Sequence, residues 1–220
     1  MRSEAVGPRK GKRAVWKKLA GDERDLIMII GVTGSFGSGK TTVAKMFGRL
    51  GAYAIDADRV YHSLIKPGEK CYKKIVRHFG KNILGKAGLI DRKKLSRVVF
   101  QDRSMLKLLN NVTHPEVIRE IKRVIKSRKE KIAIVDAPLL IESGFYKEVD
   151  KVILVANEQN KQVKRLREAR GVSAEEALKR IRMQMPFNKK LAFADFIIDN
   201  SGTKTKTLTQ VKEIWKKQGV

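Results

Sequence analysis

Residues 28–47, MIIGVTGSFGSGKTTVAKMF, constrain the fold more tightly than any other stretch: an apolar run breaks into glycines and resumes as an amphipathic segment. Gly34, Gly39, Lys40 and Thr41 stand at the spacing of a phosphate-binding loop. In such a loop the glycines let the backbone wrap until successive N–H groups converge on phosphate oxygens. The lysine neutralises the outer phosphates and the threonine hydroxyl ligates magnesium. With glycine at about 7% of residues, four fixed positions recur by accident in on the order of one protein in a hundred, so context must carry the rest. Leu26 to Val32 suits a buried strand, and Val43, Met46, Phe47 and Leu50 recur at helical spacing before Gly51. Strand, loop and helix therefore arrive in the required order, and the helix N-terminus adds a dipole that favours anions. Gly34, Ser35, Phe36, Gly37, Ser38, Gly39, Lys40, Thr41 and Thr42 are the expected nucleotide-binding residues.

Four more short apolar segments follow: AYAID at 52–56, IAIVDAP at 132–138, KVILVA at 151–156 and FIIDN at 196–200. Their continuous apolar character, with helical segments between them, predicts an α/β fold with a five-stranded parallel sheet covered on both faces. Ligands of such sheets gather at the carboxyl ends of the strands. Asp136 ends the third strand, where phosphate-loop enzymes carry the acidic partner of magnesium; a turn aspartate is the plainer alternative. Asp56 and Asp58 lie two apart at the end of the second strand, and in extended chain their side chains would leave on one side. Asp58 is then either the group that takes a proton from an acceptor hydroxyl or the N-cap of a helix beginning near Arg59. His62 and His114 read as hydrogen-bonded structural residues.

Two segments stand outside the strand pattern. Residues 61–126 are helical in pattern, with Met105, Leu106, Leu109 and Val112, then Val117, Ile118, Ile121, Val124 and Ile125, interrupted by Pro115. They predict an inserted helical lobe. Residues 161–190 predict two helices, the first carrying Val163, Leu166 and Ala169. The second opens with Ser173 and Glu176 at capping-box spacing and stops near Pro186. A basic helical pair at that place suits a closing lid, whose Arg165, Arg170 and Arg182 would cover a transferring phosphoryl group. The core is then 26–60 with 127–160 and 191–220. Residues 1–25 are expected to form a loose basic arm, or to be an over-long start ahead of Met28; their four acidic residues argue against a transit peptide.

A chain of 220 residues with 42% hydrophobic content supports one sizeable core. Its apolar runs fall far short of the roughly 18 residues needed to cross a bilayer. Cys71, the single cysteine, excludes an internal disulfide, fits a reducing cytoplasm and offers no zinc site. The formal charge is +26, from 49 basic and 23 acidic residues, which points to polyanionic partners. Residues 61–126 hold seventeen basic against five acidic, and 161–190 hold ten against three. Neither shows the aromatic and basic interleaving of a single-strand platform, so multi-phosphate small molecules suffice and nucleic acid is the weaker reading.

Taken together, the motifs resemble the dephospho-CoA kinase family. The resemblance runs from IIGVTGSFGSGKTTVAKMF through LGAYAIDADRVYH, KPGEK, HFG at 78–80, GLIDRKKLSRVVF and THP at 113–115. It continues through VDAPLLIESG, QVKRLREARG and RMQMP to ADFIIDNSG, covering about 28–202 in unbroken order. It implies a phosphate-loop kinase of three layers that moves the γ-phosphate of ATP, with Mg2+, to the 3′-hydroxyl of dephospho-CoA in the cytoplasm. It also implies that 61–126 is the CoA domain and 161–190 the lid. By the same resemblance Asp58 is the base, and Lys40 and Arg165 act in catalysis and nucleotide binding. Thr41 and Asp136 are the metal ligands, while Gln184, Pro186 and Lys190 fall at recurrent positions. The rivals are a kinase of the same core acting on another alcohol, and a nucleic-acid-stimulated ATPase.

Overall fold

A computed structural model of the chain describes residues 27–218, apart from the side chains of Phe100, Gln101, Arg103, Ala169 and Arg170; the arm expected at 1–25 lies outside the described residues. The chain divides into two units, one formed by 27–55 with 128–218 and the other by Asp56–Ser127. The first is built on five strands, β1 (Met28–Gly34), β2 (Tyr53–Asp56), β3 (Ile132–Asp136), β4 (Lys151–Ala156) and β5 (Phe196–Asp199), in the order β2-β3-β1-β4-β5. β1 pairs in parallel with both β3 and β4, Val32 opposite Asp136 and Gly34 opposite Val155, and β4 pairs in parallel with β5. β1 thus lies where the strand order reverses, and the crevice of a parallel sheet opens at its carboxyl end.

The apolar runs become strands because both of their faces are buried. Ile30, Val32, Ile132, Ile134, Ile153 and Val155 point to one face, where α1 (Lys40–Arg49) and α9 (Lys204–Lys216) contribute Val43, Met46, Phe47, Val211 and Ile214. Phe47 is wholly buried, which is worth roughly 1.5–3 kcal/mol. On the other face Gly31 leaves room for the Leu140 side chain, which a Cβ there would meet at 2.5 Å. α9 begins at Thr203, whose hydroxyl accepts the Lys206 N–H.

Between β4 and β5 lie α6 (Gln159–Arg170), α7 (Ala174–Arg182) and a third, short helix, α8 (Phe187–Leu191), that the hydrophobic pattern does not reveal. Ser173 caps α7 by accepting the Glu176 N–H, as its spacing predicts. Leu166, Val172 and Ala177 form the buried seam of the α6–α7 pair, with Val163 and Phe36 packed against it.

The second unit consists of α2 (Ala57–Leu64), α3 (Lys70–Phe79), α4 (Arg92–Gln101) and α5 (Arg103–Lys126), joined around Ile65, Cys71, Ile75, Ile83, Leu95, Val99 and Val112. Asp91 and Asp102 cap α4 and α5 by accepting backbone N–H groups. Contrary to the expected interruption, α5 runs unbroken through Pro115. A proline there forfeits one ladder bond and costs ~3 kcal/mol, but α5 is the element against which α2, α3 and α4 all pack, so tertiary burial holds it helical. Glu116, the next residue, is buried and paired with Lys74 of α3 and with Arg119. Cys71 is buried, and burial pushes its thiol up to about 11, which leaves it protonated and structural.

Candidate active site

The turn between β1 and α1 has the backbone its glycines predict. Gly37 and Gly39 take φ of 80° and 92°, in the left-handed region that side chains disfavour. A Cβ on Gly39 would lie 2.1 Å from Asn200 Nδ2, so glycine is required there by contact as well as by conformation. Gly39 occupies the N-cap of α1 and no side chain caps that end, so its N–H groups are those a phosphate would satisfy. Lys40 is 7% exposed and its ammonium donates to the Ser35 carbonyl at 3.0 Å, within the loop it serves. The Thr41 hydroxyl donates to Asp136 Oδ2 at 2.6 Å. Asp136 is 5% exposed, a carboxylate carried to this spot by the pairing of β3 with β1.

Arg165 of α6 reaches the same loop: its guanidinium donates to the Asn200 carbonyl at 3.1 Å and lies 3.7 Å from where a Gly39 Cβ would stand. Arg182 is exposed on α7, and the Arg170 side chain lies outside the described residues. Sequence reasoning passed over Asn200 and Glu142, and named Gln184 and Lys190 only as recurrent family positions without a partner. Asn200, 5% exposed just past β5, donates to the Ser38 carbonyl at 2.7 Å and accepts from Thr207. Gln184 accepts the Phe36 N–H at 2.7 Å. Lys190 is fully buried and pairs with Glu142 at 2.8 Å. Asn200 and Glu142 lie inside the motifs quoted for the family resemblance, but no spacing along the chain assigns them a partner.

In the second unit Asp56, the last residue of β2, caps α2: its carboxylate accepts the Arg59 N–H at 3.1 Å. Asp58 is not the cap, because α2 starts at Ala57 and places Asp58 in its first turn. The extended geometry expected to send both carboxylates to one side therefore ends at Asp56. His62, one helical turn beyond Asp58, is held below its ordinary value by burial and by the Arg92 guanidinium, with Asp58 pulling the other way. His114 is pushed down by burial alone. Neither histidine is disposed to carry charge near neutrality.

Among the described residues no three of His, Cys, Asp and Glu cluster as a metal cage. The Thr41 hydroxyl and buried Asp136 carboxylate offer hard oxygen donors beside a phosphate loop. That donor set suits Mg2+, which binds through one or two protein oxygens and completes its shell with phosphates and water.

The dephospho-CoA kinase family model matches residues 28–206. A dephospho-CoA kinase of Carboxydothermus hydrogenoformans is 43% identical over 195 residues, covering 87% of this chain and 95% of that relative. One from Aquifex aeolicus is 43% identical over 187 residues, with 84% and 95% covered. Among solved structures, the Thermus thermophilus protein TT1252 superposes with a TM-score of 0.79 at 31% identity, covering 88% of this chain and 98% of that one. Dephospho-CoA kinase from Campylobacter jejuni gives 0.61 at 31% identity, with 86% and 96% covered.

Proposed function

The chain belongs to the dephospho-CoA kinase family, and from that membership we propose the reaction in full: transfer of the γ-phosphate of ATP to the ribose 3′-hydroxyl of dephospho-CoA, giving CoA and ADP. The observation that carries this reading is the phosphate loop with its Thr41–Asp136 hydrogen bond at the carboxyl end of β1. Phosphoryl transfer asks of a protein chiefly position and charge neutralisation. Gly34 to Thr42 wrap the triphosphate with backbone N–H groups, and Lys40 exchanges the Ser35 carbonyl for phosphate oxygens. Arg165, preset against the loop by Asn200, adds a second cation for the charge that spreads over the transferring group. Thr41 and Asp136 would hold Mg2+, which supplies charge neutralisation and fixes the phosphate oxygens when bound. Asp58 takes the proton of the acceptor hydroxyl; its place in the first turn of α2, with the capping duty already filled by Asp56, supports that role.

The lid segment 161–190 and the helical unit carry the excess of cations that an acceptor with a pyrophosphate and a donor with a triphosphate require. No described helix is long and apolar enough to cross a membrane, and small soluble substrates fit a cytoplasmic enzyme. The test is a coupled ADP assay with dephospho-CoA, nucleosides, nucleotides and shikimate-like alcohols as acceptors, run with and without Mg2+. Dephospho-CoA should be turned over best. Faster turnover of any nucleoside, or ATP hydrolysis stimulated by nucleic acid instead of by an acceptor, would overturn the assignment.

A further inference from the structure

Phe36 is gripped by the lid segment at three points. Its N–H donates to Gln184 Oε1 at 2.7 Å, its ring packs against the Leu166, Val172 and Ala177 seam of α6 and α7, and the Arg180 guanidinium lies 5.3 Å over that ring. The neighbouring Gly37 approaches α6 so closely that a Cβ would stand 2.9 Å from Leu166. The backbone that carries Gln184 is tied down at the next residue, where the Met185 N–H donates to Glu142 Oε1 at 3.1 Å. That same oxygen receives the ammonium of Lys190 at 2.8 Å, and the ammonium also donates to the Pro138 carbonyl at 3.2 Å. Pro138 in turn accepts the Thr33 hydroxyl on β1. A continuous chain of polar contacts therefore leads from the segment after Asp136, through the end of the lid, to the phosphate loop.

We propose that Gln184 is a positioning residue for ATP, acting through Phe36, and that the Glu142–Lys190 pair is the anchor that holds it in place. The physical reason is the cost of the alternative. A backbone N–H in a tight glycine loop either finds a fixed acceptor or lets the loop sample other shapes, and each shape misaligns the donors of Gly37 to Thr42 that must converge on phosphate. Lys190 has no exposed side-chain surface, and Glu142 is the carboxylate that offsets its buried ammonium. The pair thus makes the register of the lid's end stiff, and Gln184 passes that stiffness to the loop. The inference rests on the kinase reading for its kinetic readout but not for its binding readout.

The experiment measures binding of a fluorescent ATP analogue, together with KM for each substrate, in wild type, Gln184→Ala, Glu142→Gln and the double variant, alongside thermal melts. Gln184→Ala is expected to weaken analogue binding and raise the KM for ATP about 3- to 10-fold, the worth of one hydrogen bond to a shielded donor, with the KM for dephospho-CoA unchanged. Glu142→Gln, which leaves an acceptor for Met185 but removes the charge that Lys190 needs, should move the same constants in the same direction. Adding it to Gln184→Ala should bring little further loss, because both act through one contact. Lys190→Met in the Glu142→Gln background removes the unpaired charge and should recover ATP affinity. Melting temperatures lowered with ATP constants unmoved, tighter ATP binding in Gln184→Ala, or simple additivity would each overturn the proposal. Wild-type protein that binds the analogue but phosphorylates no dephospho-CoA would sink the assigned reaction and leave the positioning role to be judged on binding.

Discussion

At the scale of single residues, the site is a set of groups whose partners define their work. Asp56, not Asp58, caps α2; with Asp58 proposed as the base, Asp58→Asn should lower kcat by roughly 10²- to 10⁴-fold, the usual reach of a general base, while ATP binding is kept. Steady-state kinetics with a parallel nucleotide titration check this, and near-normal turnover would reduce Asp58 to a helix residue. Gly39 is constrained twice, by its φ of 92° and by the Asn200 amide that fills the space of a side chain. Gly39→Ala forces a backbone strain of about 1 kcal/mol and displaces Asn200 from the Ser38 carbonyl. We expect the KM for ATP to rise at least about tenfold as the displaced brace adds ~1–2 kcal/mol. Titration of the purified variant reads the loss directly, and an unchanged KM would show that the loop tolerates both.

At the scale of elements, α5 carries the second unit, and half-buried His114 and buried Glu116 set opposite ends of an acid transition. His114 is held by burial below the ordinary histidine value near 6.5. The unfolded chain therefore takes up that proton at higher pH than the fold does, and stability falls as pH drops through 6.5 towards the lowered value. His62 acts in the same sense and the same window. Glu116 is held below the usual carboxylate value near 4.5, chiefly by its hydrogen bond from Lys74. Its contribution is complete above that value and is lost as pH falls below it. Melting temperature against pH should thus decline in two stages, and His114→Gln should shrink the upper one; a single decline confined to below pH 4.5 would remove the histidines from the account. Pro115 gives a second check. Pro115→Ala restores a ladder bond to a helix that already exists, so it should raise stability, and a fall would mean that the proline shape itself is required.

At the scale of the whole molecule, a formal charge of +26 raises the local concentration of polyphosphate substrates. Salt screens that field within about 8–10 Å at 0.1–0.15 M. The kcat/KM for ATP should therefore fall as ionic strength rises from 10 to 300 mM while kcat holds, and a flat profile would mean that only the loop's own charges matter. The strand–loop–helix order, the apolar runs of the sheet and the Ser173 cap were legible along the chain because each is set by contacts within a few residues or by a period that burial imposes. The short helix α8 and the passage of α5 through Pro115 were not, since their stability comes from elements far away in sequence. So too for the partners of Gln184, Lys190 and Asn200, which lie 148, 52 and 162 residues off for the bonds to Phe36, Pro138 and Ser38. By itself the sequence determined the phosphate loop and the parallel sheet, because a glycine-set backbone turn and a strand's apolar run are written in neighbouring residues. Only the tertiary structure decided which distant side chains brace that loop, because such pairing depends on how the strand order brings the ends of β1, β4 and β5 together.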